Sequence, residues 1–575
     1  MFDFLSCNRS RWMTLLSVLA ALLVLAWWRA QGTSQPMVEA ADNKLQCVSY
    51  APFRKPGETP LDPGAMVSEA RLREDLSILA ARSQCVRTYS VIQGLDKVPE
   101  VAKSLGMKVL LGVWIGRERD KNDIEIQRAI QLAREYPDTI RGIVVGNEVL
   151  LRREQSAQQM GTYIDQVRSA VDVPVTYADV WEFWSENAEL AGHVSFVTVH
   201  ILPYWEDHPV GIHAAIDHIT GTAERMRQMF NGKDVLIGET GWPSEGRQRD
   251  AAVASRVNQA RFMREFSQAA ADHRLNYNFI EGFDQPWKRG QEGAMGGNWG
   301  VFDSDGQAKF PATGPVAEDP YWYLGWLGAV IGLAAALGLS RRWQLTERLP
   351  QVQVLALGAA TGGLVVAQLR YGVVWNRNPL EWGATVLLGA ASLVLMFRVA
   401  QLLALGRSDR PAGQGASSLV GLTVPSFNTL WRRRRAHFDA LDWLGVCRSF
   451  LLFAAAIMTL LLVFDARYRG FPTVLYMLPL LGLAMTGRPA AGGRRGRARA
   501  GRRLCAGQHR LRAHRGLCQR PVADIRCHGG GAGCGGHRRP LLAAGAGRAL
   551  RKRLSRALPG HEKGPHERPF FCAFR

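Results

Sequence analysis

Two glutamates in this sequence, Glu148 and Glu239, each stand at the end of a short apolar run. A single glutamate in such a place more often caps a helix or pairs with an arginine. Two carboxyl groups together are what cleavage of a glycosidic bond requires. One protonates the departing oxygen, and the other stabilises or traps the oxocarbenium-like carbon. The two glutamates are therefore candidates for a catalytic pair.

The elements that must position this pair are predicted from the alternation of short apolar runs with longer amphipathic stretches between residues 44 and 313, which is typical of a βα-repeat. Eight strands are predicted: Gln46–Ala51, Val86–Ser90, Lys108–Val113, Gly142–Gly146, Val173–Tyr177, Ser195–His200, Val235–Gly238 and Tyr277–Glu281. The main predicted helices are Met66–Ala81, Asp123–Glu135, Gln155–Ala170, Gly211–Phe230 and Ala251–Ala271. The predicted fold class is therefore α/β, a (β/α)8 TIM barrel, with its chemistry at the carboxyl ends of the strands.

In this barrel Glu148 ends the fourth strand and Glu239 the seventh, so the two side chains face each other across the mouth. A separation of about 5 to 5.5 Å between the carboxyl groups makes the second a covalent nucleophile and retains configuration. The general acid must be protonated near neutral pH. We therefore expect a raised pKa for Glu148, helped by the nearby negative charge of Glu239.

The residues around both glutamates resemble a known family. Gly146-Asn147-Glu148 and the run from Gly238 to Ser244 are similar to the two signatures of glycoside hydrolase family 17, the β-1,3-glucanases and glucanosyltransferases. The segments Phe279 to Lys288 and Asn298 to Phe302 are similar to that family's last strand and following loop. The resemblance spans roughly residues 45 to 305. It implies that Glu148 is the acid/base and Glu239 the nucleophile.

One position departs from the family pattern. Many members have an acidic residue where this chain has Gln285, so the charge near Lys288 differs. Glu292 is a candidate replacement, and the acidic partner of Lys288 is left open.

The predicted substrate-binding residues flank the acidic motifs: Asn147, Tyr204, Trp242, Asp284, Trp287, Lys288 and Glu292. Asn147 is suited to bind the sugar 2-hydroxyl. Tyr204 either orients the nucleophile through its hydroxyl or fills the barrel rim. Aromatic residues crowd the predicted strand exits, where sugar faces stack on rings: Trp114, Tyr177, Trp181, Trp184, Trp205, Trp242, Trp287 and Trp299. Any one of them is more often core than ligand contact.

Apolar runs on both sides of the barrel predict a membrane protein. Residues 1–30 are expected to be a cytoplasmic start and signal-anchor helix, residues 31–43 a linker, and residues 321–487 a multi-span region. About five spans are predicted after the barrel: Tyr321–Ser340, Val354–Gln368, Trp382–Leu405, Trp443–Phe464 and Phe471–Thr486. Arginines beside these spans, Arg341, Arg342 and Arg432 to Arg435, favour a barrel on the side of the membrane opposite the cytoplasm.

The net charge of +21 does not predict nucleic-acid binding, because residues 488–575 hold 20 Arg and 2 Lys against 3 acidic residues. The rest of the chain is nearly neutral. This low-complexity tail is predicted to be an out-of-frame reading after about Thr486, or disordered, with a genuine basic tail that binds anionic lipid or RNA as the alternative. It has scattered Cys and His but no CxxC pair, so zinc is not predicted. Cys47 and Cys85 begin neighbouring strands, and either a bridge or two buried thiols fit.

A barrel of this kind joined to a multi-span region resembles the bacterial membrane-bound members of the same family, often called β-glucan synthases. That resemblance implies a membrane-anchored retaining enzyme at a bacterial inner membrane, with its barrel in the periplasm, that acts on periplasmic β-1,3-glucan. A transglycosylase or branching enzyme that forms β-1,6 links is preferred, and endo-hydrolysis is the near alternative. A non-catalytic glucan-binding scaffold remains open. A nucleotide-sugar glycosyltransferase would need paired aspartates for a metal, and no such stretch stands out. The expected partners are β-glucan, the lipid bilayer and, as a further candidate, a glucan synthase. No nucleic acid, cofactor or metal is expected.

Overall fold

The structure is a computed structural model that describes residues 2–42, 44–404, 440–464 and 471–485. The predicted change of reading frame and the basic tail lie outside the described residues.

Eight parallel strands close into a barrel in chain order. The strands are β1 (Val48–Ser49), β2 (Cys85–Arg87), β3 (Lys108–Val113), β4 (Ile140–Asn147), β5 (Val175–Val180), β6 (Val197–His200), β7 (Val235–Thr240) and β8 (Asn276–Phe279). Their residues are almost all buried, as expected where helices cover the outside of a parallel sheet. The predicted barrel, and the number and order of its strands, are confirmed.

Helices follow most of the strands and pack around the barrel. They are α2 (Glu69–Ala80), α3 (Val98–Ser104), α4 (Arg119–Glu135), α5 (Ala157–Arg168), α6 (Trp181–Glu186), α7 (Ile212–Met229), α8 (Arg256–Asp272) and α9 (Arg289–Glu292), and α1 (Phe2–Gln31) precedes the barrel. Serine side chains cap three of them: Ser68 at α2, Ser156 at α5 and Ser255 at α8. The sequence predictions missed α3, α6 and α9, which are short and have only one or two turns.

The barrel interior holds a small apolar cluster that includes Cys47, Cys85, Leu110, Val144 and Leu236. Cys47 and Cys85 form a disulfide that joins the chain just before β1 to the first residue of β2. Of the two readings that the sequence allowed for these cysteines, the bridge is the one observed.

Five further helices follow the barrel: α10 (Tyr323–Arg342), α11 (Arg348–Trp375), α12 (Pro379–Ala404), α13 (Ala440–Phe464) and α14 (Thr473–Met485). Within the described residues, four segments are long and apolar enough to cross a membrane: Arg11–Gln31, Tyr323–Arg342, Arg348–Trp375 and Pro379–Ala404. Shorter apolar segments are Cys447–Leu460 and Thr473–Met485. The predicted count of one span before the barrel and about five after it stays a prediction.

Glycines let α10 and α11 approach closely. A Cβ atom on Gly362 would lie 1.9 Å from the carbonyl oxygen of Gly328, and one on Gly332 would lie 2.1 Å from that of Gly358. Small residues at such crossings are how helices pack in lipid, where the hydrophobic effect does not drive their association.

Candidate active site

Glu148 and Glu239 meet at the carboxyl ends of the strands. One carboxylate oxygen of each, together with a ring nitrogen of His200, forms a group whose atoms all lie within 4.8 Å of one another. The Glu239 side chain is 7% exposed and that of Glu148 is 19% exposed. The carboxyl groups, 91 positions apart in the chain, are therefore close enough to act on one sugar, as the sequence predicted.

The local backbone sets the direction of Glu148. Gly146 has a φ of +84°, Glu148 itself has a φ of +52°, and the Glu148 amide donates to the carbonyl of Ala178 at 2.8 Å. A left-handed backbone at a residue other than glycine costs about 1 to 3 kcal/mol and is held only where the surroundings dictate it. The bend at the end of β4 thus turns the carboxyl group into the barrel mouth.

Arg87, at the end of β2, organises the centre of the site. Its guanidinium donates to Glu239 Oε1 at 3.1 Å, to the Gly238 carbonyl at 2.8 Å and to Asn147 Oδ1 at 2.6 Å. The side chain is 1% exposed, so the ion pair with Glu239 is shielded from water. Arg87 therefore orients the carboxyl group of Glu239 and fixes the amide of Asn147.

Tyr89 supplies the second hydrogen bond to Glu239. Its hydroxyl contacts Glu239 Oε1 at 2.8 Å and Ser49 Oγ at 2.9 Å. Burial first, and then the charge of Glu239, raise the pKa of Tyr89 well above its usual range, so it stays a donor.

For Tyr204 the sequence left two roles open, orienting the nucleophile and filling the barrel rim. Tyr204 has no exposed surface, its hydroxyl donates to the carbonyl of Arg247, and its ring packs edge-on against Trp242 and Trp299. The rim-filling alternative is the one observed.

His200, the last residue of β6, connects the two carboxylates. Its Nδ1 lies 2.9 Å from Glu148 Oε1, and its Nε2 lies 3.7 Å from Glu239 Oε1. His200 is paired with Glu239 across the β6–β7 ladder, and the ring is fully buried. The strand register thus places one imidazole between both acids.

The pKa of Glu148 is lowered, which contradicts the raised value expected from the sequence. Burial, the largest influence, raises it, but the hydrogen bond and charge of His200 together with the charges of Arg152 and Arg87 outweigh that effect. The expectation considered Glu239 alone; Arg87 and His200 come from elsewhere in the chain, whereas Arg152 is only four residues after Glu148. The site without substrate therefore favours Glu148 as a carboxylate.

Lys288 takes Glu281 as its acidic partner, with Nζ 2.8 Å from Glu281 Oε2. Glu292 is close enough to Lys288, Glu148 and Glu239 to interact electrostatically with all three, and burial raises its pKa to about 8. The amide of Gln285 donates to the Ala51 carbonyl and accepts from the Trp287 indole, each at 2.8 Å. A carboxylate at this position would lack the donor to the Ala51 carbonyl.

Two more predicted substrate contacts have structural roles instead. Trp242 has no exposed surface and its indole donates to the Val253 carbonyl at 2.9 Å. Asp284 is 8% exposed and binds Lys309 Nζ at 2.7 Å and the Gly300 amide at 2.8 Å, and burial raises its pKa to about 7. Trp242, like Tyr204, cannot touch a sugar while its side chain is covered.

The predicted aromatic lining divides into two halves. Four members are buried in the core: Tyr177, Trp184, Trp242 and Trp299. The other four keep part of their surface exposed: Trp114, Trp181, Trp205 and Trp287. The guanidinium of Arg152 lies over the Trp114 ring, 4.2 Å from its centroid. The exposed half remains available for stacking on sugar faces.

Glu148, His200 and Glu239 also meet the distance condition for holding a metal ion. The donor set fits such an ion poorly, since the two ring nitrogens of His200 point to different carboxylates. The positive charge that an ion would supply to Glu239 already comes from Arg87 at 3.1 Å.

The sequence predictions missed Arg87, Tyr89, His200 and Arg152. A signal for three of them was present, because Arg87, Tyr89 and His200 are polar residues at or just beyond the ends of apolar strands, as are the two glutamates. Arg152 follows Glu148 by four residues, and the local turn after β4, in which the Arg152 amide donates to the Glu148 carbonyl, brings its charge near the Glu148 carboxyl group.

Several known proteins are similar to the barrel region of this chain. Residues 47–300 match the family model described as the BtgE/BtgC glycoside hydrolase domain. A "Glucan 1,3-beta-glucosidase" of Arthroderma benhamiae is 27% identical over 267 residues, which cover 43% of this chain and 86% of that protein. One of Schizosaccharomyces pombe is 29% identical over 234 residues, or 37% of this chain and 72% of that protein. A solved glycoside hydrolase family 17 β-1,3-glucanosyltransferase from Rhizomucor miehei has 24% identity and a TM-score of 0.41, and the match covers 48% of this chain and 98% of that one.

Proposed function

We propose, from the premise that residues 47–300 are a glycoside hydrolase domain of the BtgE/BtgC type, that this chain is a membrane-anchored retaining transglycosylase of β-1,3-glucan. The premise makes the chain an enzyme that acts on O-glycosyl bonds. The observation that supports retention is the short distance between the two acids, since oxygens of Glu148 and Glu239 lie within 4.8 Å of each other. An inverting enzyme needs about 6.5 to 9.5 Å between carboxyl groups to admit a water molecule.

In the proposed first step, a carboxylate oxygen of Glu239 attacks the anomeric carbon of the bound glucan. The bond from that carbon to the departing oxygen breaks, and Glu148 in its protonated form gives its proton to that oxygen. Arg87 and Tyr89 orient the attacking carboxylate, and Arg87 also fixes Asn147. The product is a glucosyl ester on Glu239 and a released glucan chain with a new end.

In the second step, Glu148, now a carboxylate, takes the proton from an acceptor hydroxyl as that oxygen attacks the anomeric carbon and displaces Glu239. Two inversions give net retention. A sugar hydroxyl as acceptor makes a longer or branched glucan, whereas water makes a shorter one.

The substrate class rests on two supports. The two fungal relatives are both named for activity on 1,3-β-glucan. The partly exposed rings of Trp114, Trp181, Trp205 and Trp287 around the strand exits suit several sugars of a polymer. A β-1,3-glucan, with transfer to a 6-hydroxyl as the preferred branching reaction, is therefore our proposal for the donor and the product.

Location is part of the same proposal. The apolar segments on both sides of the barrel would anchor it to a bacterial inner membrane, and the Cys47–Cys85 disulfide suits an oxidising compartment such as the periplasm. A barrel held at the membrane would act on glucan as it emerges, beside a glucan synthase. That setting favours transfer to a nearby chain over release of free sugar.

Incubation of the purified full chain with laminari-oligosaccharides of defined length tests the proposed reaction. Products longer than the donor, with some 6-linked branches by methylation analysis, are expected for a branching transglycosylase. Products that are only shorter would show a hydrolase, and unchanged substrate with retained binding would show a scaffold.

Substitution of Gly146 by valine is expected to lower kcat about 100-fold, because misplacing a catalytic group by about 1 Å costs that much. A Cβ at this position would lie 2.8 Å from Val149 Cγ2 and 2.9 Å from Met160 Cε, and the φ of +84° disfavours any side chain. Kinetics on laminari-oligosaccharides measure the effect. The matched control is Gly221→Val on α7, where a Cβ meets nothing within 4 Å. A fully active Gly146→Val enzyme would contradict the placement of Glu148.

Replacing His200 with phenylalanine is expected to move the alkaline limb of the kcat/KM profile to higher pH. Glu148 must be protonated to act as acid, so kcat/KM falls as the pH rises through its pKa. His200 lowers the pKa of Glu148, whereas burial raises it. Without His200 the effect of burial is opposed less, so the pKa of Glu148 should be higher. The pH at half-maximal kcat/KM is the measurement. A limb that stays in place, or moves to lower pH, would show that His200 does not control the proton of Glu148.

A further inference from the structure

The turn between α11 and α12 contacts two loops at the mouth of the barrel. Arg289, at the start of α9 in the loop after β8, donates from Nη2 to the carbonyl oxygens of Val373 at 2.9 Å, Val374 at 2.7 Å and Asn376 at 3.3 Å. In the loop after β7, Arg247 Nη2 lies 3.7 Å from Glu381 Oε1 at the start of α12. Both arginines therefore connect the catalytic end of the barrel to one end of the apolar helices.

We propose that this turn, residues 376–378 with the adjoining helix ends, is a positioning element of the active site. It holds the loop of residues 286–297, called here the β8 loop, in its substrate-binding position. The proposal rests on the proposed function for its effect on glucan binding, and on the structure alone for the loop itself.

The contact of Arg289 follows from helix chemistry. The last four carbonyl groups of a helix have no partner within that helix, and the partial negative charge of the helix end favours a cation there. At the end of α11, Arg289 supplies both the hydrogen-bond donor and the positive charge, since one guanidinium nitrogen contacts three carbonyl oxygens. Charge-assisted hydrogen bonds of this kind are among the stronger ones in proteins.

The aliphatic part of the Arg289 side chain also packs against the other end of the β8 loop. A Cβ atom on Gly297 would lie 2.6 Å from Arg289 Cγ and 2.9 Å from its Cδ, so the two ends of the loop touch through this side chain. Only a glycine at position 297 leaves room for this part of the side chain. A displaced Arg289 would therefore disturb both the loop and the helix end.

The neighbours of Arg289 reach the catalytic centre. Lys288, one residue earlier, pairs with the buried Glu281, and Trp287 keeps part of its ring exposed. Glu292, three residues later, interacts electrostatically with Glu148 and Glu239. A displacement of Arg289 would therefore also move the side chains of Trp287, Lys288 and Glu292, which line or adjoin the site.

A second contact supports the same turn. Glu381 accepts from the Arg377 amide at 2.8 Å and from Arg377 Nε at 3.0 Å, and faces Arg247 on its other side. The backbone carbonyl of Arg247 in turn accepts from the buried hydroxyl of Tyr204. The turn therefore contacts the loop after β7 as well as the β8 loop.

The consequence is that part of the glucan affinity depends on the apolar helices. Glu148 and Glu239 stand on strands that do not need the turn, so the chemical step should be largely independent of it. A more mobile β8 loop should instead weaken substrate binding. Such a loop must lose conformational entropy when the substrate binds, whereas an ordered loop has lost it beforehand.

The test uses the full chain in lipid nanodiscs with Arg289→Ala, Arg289→Lys and the control Arg227→Ala. Arg227 also donates to two backbone carbonyls, those of His273 at 3.1 Å and Arg274 at 2.7 Å, but lies at the end of α7 that leads into β7, away from the mouth. We expect Arg289→Ala to raise the KM for laminari-oligosaccharides about three- to tenfold, the range for losing one ordinary hydrogen bond, with kcat within about twofold. Lysine should restore part of the loss, and Arg227→Ala should leave KM unchanged.

Hydrogen exchange of residues 286–297 is the second readout, and it needs no activity. Faster exchange in Arg289→Ala, with wild-type exchange in the strands β4 and β7, is expected. An unchanged exchange rate, or an unchanged KM despite faster exchange, would overturn the proposal. A wild-type chain that neither cleaves nor transfers glucan would defeat the proposed function alone, because exchange would still report whether the turn holds the loop.

Discussion

Replacing Glu239 with alanine is expected to lower kcat on laminari-oligosaccharides by about 10⁴-fold or more, as loss of a covalent nucleophile does in other enzymes. Among the residues that the structure describes, Glu239 is the carboxylate that receives the paired donors of Arg87 and Tyr89, which orient its Oε1. Glu148 is bound to His200 instead, so it cannot take over the attack from the same direction. The initial rate of donor consumption by chromatography measures the loss.

Azide gives this prediction a stereochemical control. In the Glu239→Ala enzyme, the cavity left by the carboxylate admits azide to the face of the sugar that Glu239 attacks, and one inversion yields an α-glucosyl azide. The matched variant Glu224→Ala, an exposed glutamate on α7, should keep wild-type kinetics. A β-glucosyl azide from Glu239→Ala, or activity within about tenfold of wild type, would contradict the role of Glu239 as nucleophile.

Replacing Glu148 with alanine is expected to have an effect that depends on the leaving group. On natural glucans kcat should fall about 10³-fold, because general acid catalysis contributes roughly 10² to 10⁴. An aryl β-glucoside whose phenol leaves without a proton should still form the glucosyl ester, but its breakdown lacks a base. A burst of phenol followed by slow turnover is therefore expected in stopped-flow absorbance.

Azide again separates the roles. It needs no base, so it should speed the slow phase of the Glu148→Ala enzyme and give a β-glucosyl azide by a second inversion. Equal losses on glucan and on the aryl glucoside, without a burst, would show that Glu148 is not the acid/base. The same outcome in the exposed variant Glu224→Ala would point to general damage.

Sequence patterns were sufficient to predict the barrel, because each strand is an apolar run with a polar exit. The strand β3 was predicted from Lys108 to Val113 and has those limits, whereas β1 is only Val48–Ser49 of the six residues predicted. Strand ends depend on hydrogen bonds to neighbouring strands, and these pairings join residues far apart in the chain. The periodicity of a single run carries no information about them.

The state of the two cysteines and the exposure of the aromatic residues also could not be predicted from the sequence alone. Cys47 and Cys85 were placed on neighbouring strands, yet their bonding depended on both side chains pointing to the barrel interior. The tryptophans at the strand exits looked alike in the sequence. Trp242 became core and Trp287 stayed partly exposed because the surrounding helices cover the first and not the second.

By itself, the sequence singled out Glu148 and Glu239 as the candidate pair and placed them at the ends of the fourth and seventh strands, since apolar runs and their polar exits are local features. Only the tertiary structure decided their environment. Arg87 and Tyr89 from β2 and beyond, and His200 from β6, surround Glu239 and Glu148 through the closure of the barrel. A pKa depends on every charge within a few ångströms, and the fold brings in charges that the linear sequence keeps far apart. The lowered pKa of Glu148 is the clearest result of that difference.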